Sequence, residues 1–152
     1  MNLKHFIERS QEHPKVLDTL KILENSSLKA NWAGLIGSSK ALFSSAAANQ
    51  CPGHHVFLLD NKEDAAYFLN DLQGLYPNDK RLVFYPASYK TPYQIEDTDN
   101  ASVVARTEAL KKLSTQKNCW IVTYPEALFE KVLSLKKLIS NTMTVSYTHL
   151  RA

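Results

Sequence analysis

Residues 34–41 read GLIGSSKA, and whether they form a working phosphate loop decides how the rest of the chain is understood. Such a loop has the form G-x-x-x-x-G-K-[S/T] between a strand and a helix. Its glycines let backbone N–H groups wrap the phosphates, its lysine reaches the terminal phosphates, and its hydroxyl residue ligates magnesium. Gly34, Gly37, Ser38 and Lys40 stand where a G-x-x-G-S-G-K-T version has them. Two positions depart. Ser39 replaces the second glycine; if that residue needs positive φ, its β-carbon costs about 1 kcal/mol and crowds the phosphate. Ala41 replaces the hydroxyl residue, so the magnesium ligand is missing. Lys40 falls in a first helical turn, where a cation opposes the helix dipole unless an anion lies near. Its plain reading is a solvated lysine at a glycine turn. Gly34, Gly37, Ser38 and Lys40 are therefore the candidate cofactor-binding residues of a degenerate loop, expected to be inactive.

Outward from that loop the pattern alternates. NWAGLIG reads as a strand entering the glycine turn and SKALFSSAAANQ as a helix of small residues able to lie close to a sheet. HHVFLLD reads as a buried strand, and KEDAAYFLNDLQGLY as a helix with Ala66, Phe68, Leu69, Leu72 and Leu75 toward the core. RLVFYPA is a strand, SYKTPYQIEDTDN a long loop, ASVVARTEALKKLSTQ a helix using Val103, Val104, Leu110 and Leu113, CWIVTYP a strand and PEALFEKVL a helix. Strands alternating with helices of this length predict an α/β fold of three layers, a mostly parallel sheet with helices on both faces. Upstream, residues 2–25 read as two short helices broken at His13-Pro14, with Leu17, Leu20, Ile22 and Leu23 as the apolar stripe. The expected organisation is an N-terminal helical appendage over 1–27, the α/β domain over 28–133 and the start of a truncated second domain over 134–152. That last stretch carries one helical and one strand-like pattern. Its closing VSYTHLRA looks like a translated sequencing-adapter read, which would make it foreign to the native chain.

The 152 residues suffice for one domain with a real core and not for two of full size. A formal net charge of +3, with lysines scattered among acids, is too weak for a nucleic-acid footprint and reads as a solvated face. No apolar run reaches the ~18 residues of a membrane span, and the N-terminus has no signal-peptide core, so the expectation is a cytoplasmic protein without a membrane partner. Cys51 and Cys119 match no metal spacing and read as small apolar residues.

Four further candidates each carry a plain alternative. Asp60, at a strand end, could be a magnesium-holding acid; with Glu63 three residues on it reads better as a capping box. His54 and His55 are adjacent on a strand, face opposite sides and cannot chelate one metal, so no metal site is expected. The acidic run 96–100, EDTDN, could supply a catalytic acid pair; it reads better as complementing the positive end of the next helix, with Asn100 or Asp99 as its N-cap. Tyr85, Tyr89 and Tyr93, near two prolines, suit base stacking, contact with a protein partner or packing over the sheet edge, and packing is the simpler reading.

In its order of pieces the chain resembles the N-terminal module of bacterial transcription-repair coupling factor, and more distantly the nucleotide-excision-repair helicase that shares the module. GLIGSSKALF, YPASYKTPYQ leading into VVARTEALKKL, and WIVTYPEALFEKV carry the resemblance, across about residues 28–133. The excision-repair helicase keeps a true nucleotide site, whereas the coupling factor's N-terminal copy has lost it, as Ser39 and Ala41 suggest here. The resemblance implies a helicase-like (RecA-like) domain in a DNA-repair protein. The parent would displace stalled RNA polymerase from damaged double-stranded DNA and recruit the damage-recognition protein of nucleotide excision repair. The family's ATP- and magnesium-dependent motor and its polymerase-binding domain lie far downstream, so this fragment is expected to be non-catalytic, with no cofactor and without the docking surface for the damage-recognition protein. Two alternatives stay open: an active P-loop nucleotide-binding enzyme with an unusual loop, and an unrelated α/β binding module.

Overall fold

The computed structural model describes residues 2–24, 28–88 and 100–131. Helices α1 (Leu3–Gln11) and α2 (Pro14–Leu23) precede α3 (Ser39–Ala48), β1 (His55–Leu58), α4 (Lys62–Leu75), β2 (Leu82–Phe84), α5 (Asn100–Thr115), β3 (Trp120–Thr123) and α6 (Pro125–Phe129). The break between α1 and α2 falls where the sequence places it. Pro14 occupies the first turn of α2, where its missing N–H costs nothing, and the His13 ring accepts from the Lys15 N–H. The predicted stripe of α2 is displaced, however: Val16 and Thr19 are buried, while Leu17 and Leu23 are exposed.

The three strands form one parallel sheet in the order β1-β3-β2, with β3 in the centre. His55 and Leu82 flank Trp120, and Phe57 and Phe84 flank Val122. Side chains alternate across the sheet, so these residues share one face. α4 covers that face: Phe68 packs on Phe57 with ring centroids 5.2 Å apart, and Tyr76, just past the helix, meets Trp120 edge-on at 5.0 Å. α5 lies against β2 on the other face, where Arg106 stacks over Tyr85. The α/β class and the parallel sheet thus stand as read, on a small sheet.

Several expectations are corrected. Residues 28–33 form no strand, and no strand among the described residues enters Gly34. The segment is drawn instead to the helices: the Trp32 indole donates to Thr19 Oγ1 at 2.7 Å and lies edge-on to Phe43, beside Val16, Ala46 and Ala47. β1 is an edge strand, not a buried one; Val56 and Leu58, on the face away from α4, are 58% and 55% exposed. In α4 it is Ala65 that enters the core, and Ala66 faces out. Val103 and Val104 of α5 are exposed, Leu110 and Leu113 pack on the core, and Arg106 and Ala109 are buried. The readings of residues 89–99 and 132–152, including Tyr89, Tyr93, Asp99 and VSYTHLRA, lie outside the described residues.

Candidate functional site

The loop before α3 turns on two glycines with left-handed backbone, Gly34 at φ +80° and Gly37 at φ +55°. A residue with a β-carbon would be strained at either. Ser39 is not such a position: it is the first residue of α3, so the anticipated φ strain does not arise. Its hydroxyl has another task. Oγ accepts the Ile36 N–H at 2.8 Å and donates to the Ile36 carbonyl at 2.7 Å. The backbone amides close on the same turn, Ser39 N–H to the Ile36 carbonyl and Lys40 N–H to the Gly37 carbonyl.

A phosphate loop functions by aiming free N–H groups at the anion. Here the amides of Ile36, Ser39 and Lys40 are all engaged within the loop. Ser38 occupies the N-cap position without a side-chain hydrogen bond, and Lys40 is exposed. The structure therefore brings Gly34, Gly37, Ser38 and Lys40 into one turn and spends the Lys40 amide on that turn's own Gly37 carbonyl. Ala41 settles the geometry of the missing hydroxyl. It is 0% exposed and belongs to the core cluster with Ala65, Phe68 and Leu72. A hydroxyl at position 41 would face the core.

The other sequence candidates take structural roles. Asp60 is exposed, and the cap of α4 is one residue later than read: Asn61 Oδ1 accepts the Asp64 N–H at 2.8 Å, and Asn61 Nδ2 donates to Asp64 Oδ2 at 2.9 Å. The His55 ring meets the Cys51 carbonyl at 2.9 Å, and no cluster of three metal-ligating side chains exists among the described residues. Asn100 is the first residue of α5. Burial pushes the thiols of Cys51 and Cys119 up, away from thiolate chemistry. Tyr85 is buried, and burial raises its phenol.

What sequence reasoning missed lies at the C-terminal ends of β2 and β3, where ligands of open α/β sheets gather. Arg106 donates through Nη1 to the carbonyls of Pro86 at 2.6 Å and Ala127 at 3.0 Å. Its guanidinium lies 4.3 Å from the centre of the Tyr85 ring, its Nη1 is 3.5 Å from Glu130, and its Nη2 is buried with no hydrogen-bond partner among the described residues. Glu130 in turn accepts from Ser88, from the N–H at 2.7 Å and from the hydroxyl. A signal existed: Arg106 falls on the stripe Val103, Leu110 and Leu113, where a charged residue is out of place unless partnered.

Among the described residues no helix is long and apolar enough to cross a membrane. Comparison with protein-family models, with curated proteins and with solved structures returns no match.

Proposed function

We propose that this chain is a non-catalytic, helicase-like (RecA-like) scaffold domain, corresponding to the N-terminal module of a transcription-repair coupling factor whose phosphate loop has lost its chemistry. One observation carries the non-catalytic reading: three amides that would hold a phosphate are engaged within the loop itself. Ala41 in the core supports it from the magnesium side. The attribution to the coupling factor rests on the sequence resemblance. On this reading RNA polymerase, double-stranded DNA and the damage-recognition protein of nucleotide excision repair are partners of the parent protein, and ATP with magnesium serves its downstream motor.

Calorimetric titration of the chain with ATP and magnesium tests the reading, beside the variant Lys40→Ala. The expected outcome is no binding heat from either. Magnesium-dependent binding that disappears in Lys40→Ala would overturn it and favour a P-loop enzyme.

A specific observation favours a second reading, that of an α/β binding module unrelated to helicases. A phosphate loop of helicase descent follows a strand, and residues 28–33 form none. Amide exchange separates the two. Protection at Asn31 and Ala33 comparable to that in β3 would speak for helicase descent, and rapid exchange there for the unrelated module.

A further inference from the structure

α6 has five residues, too few to hold themselves helical in water. Its N-cap residue, Tyr124, makes no side-chain capping bond, and of its apolar residues only Ala127 is buried. Leu128 is exposed, and Phe129 is 88% exposed. Apolar burial therefore does little to keep this helix in place. Polar contacts hold it instead. Arg106 takes the Ala127 carbonyl, and Glu130, immediately after the helix, receives both donors of Ser88 and faces Arg106.

The Arg106 and Glu130 side chains are 8% and 13% exposed, so these bonds are largely shielded from water. Charged groups so placed are costly to leave without partners. We infer that Arg106, Glu130 and Ser88 form a buried latch, and that α6 docks on the sheet or lifts from it as a unit according to whether Glu130 is engaged. The latch joins elements distant in sequence, the segment after β2, the middle of α5 and the end of α6. Ala127 is the one α6 residue in the buried core cluster, and release of the latch leaves Phe57 packed on Phe68 and Trp120 across β1, α4 and β3.

Native-state amide exchange on the full chain tests this with Glu130→Gln, which keeps the side-chain size and removes the charge. Exchange at Ala127, Leu128 and Ser88 should accelerate by roughly ten- to a hundredfold, while the amides of β1, α4 and β3 stay at their original protection. Unchanged exchange at those three amides overturns the proposal. So does a uniform loss of protection, which would make Glu130 an ordinary contributor to global stability. If Glu130→Gln does not fold, Ser88→Ala decides: it removes one donor and should produce the same localised acceleration, a fewfold in size, or the latch is refuted.

Discussion

At the scale of single residues, the loop before α3 departs from a phosphate-loop pattern at two positions whose environments differ. Ser39 ties its own turn, whereas Ala41 is fully buried in the cluster of Ala65, Phe68 and Leu72. Restoring the missing hydroxyl as Ala41→Thr should therefore destabilise the fold by about 1–3 kcal/mol through overpacking, read as a lower urea midpoint at unchanged slope. Asp79 is the clearest electrostatic residue. Arg81 donates to both its carboxylate oxygens while stacking 4.3 Å from the centre of the Trp120 ring, and that bonding holds the carboxyl below its ordinary range. A carboxyl that titrates lower folded than unfolded contributes fully above about pH 4, and the contribution falls away as pH drops through the folded value. Asp79→Asn should thus cost about 1.5–3 kcal/mol at neutral pH. Denaturation at a series of pH values should show the gap to the parent chain narrowing as pH falls below about 4.

Elements repeat the same distinction between pattern and placement. The sequence locates α4 and its apolar face correctly to within one residue, because periodicity reports a helix while caps compete locally: Asp60 and Asn61 are both good N-cap types. Asn61 is the residue that caps. Asn61→Ala should lower thermal stability by about 1 kcal/mol, and Asp60→Ala should leave it unchanged within about 0.5 kcal/mol, both measured by melting. The misread segment is 28–33. Its composition suits a strand, but a strand needs a neighbour to pair with, and the Trp32 indole finds Thr19 and Phe43 on the helical side. Arg106 was legible as an oddity on its helix face. Its partners were not, since Pro86 and Ala127 lie 20 and 21 positions away.

For the molecule as a whole, a sheet of three parallel strands among the described residues leaves one flank exposed. Parallel strands are normally buried on both faces, yet β1 exposes Val56 and Leu58 beside an edge that no strand among the described residues pairs. Replacing them as Val56→Lys and Leu58→Lys should leave unfolding free energy within about 0.5 kcal/mol per site. The same pair should reduce concentration-dependent light scattering, because edge lysines oppose strand-to-strand association. A substantial loss of stability in that pair would mean that the flank is covered in solution.

Local sequence accounts for the α/β class, the helices and strands that follow Gly37, the break at Pro14 and the two departures of residues 34–41 from a phosphate-loop pattern. Each of these is written in local period, in backbone-restricted residues or in the identity of a single side chain. Only the tertiary structure decided that Trp32 joins the helices, that Ala41 faces the core, that β1 is an edge and that Arg106 meets Glu130. Those outcomes depend on which surfaces meet across the fold. Hydrophobic burial is non-directional, so a local pattern marks a residue as apolar without naming its neighbour, and a buried charge finds its partner only once the chain has closed around it.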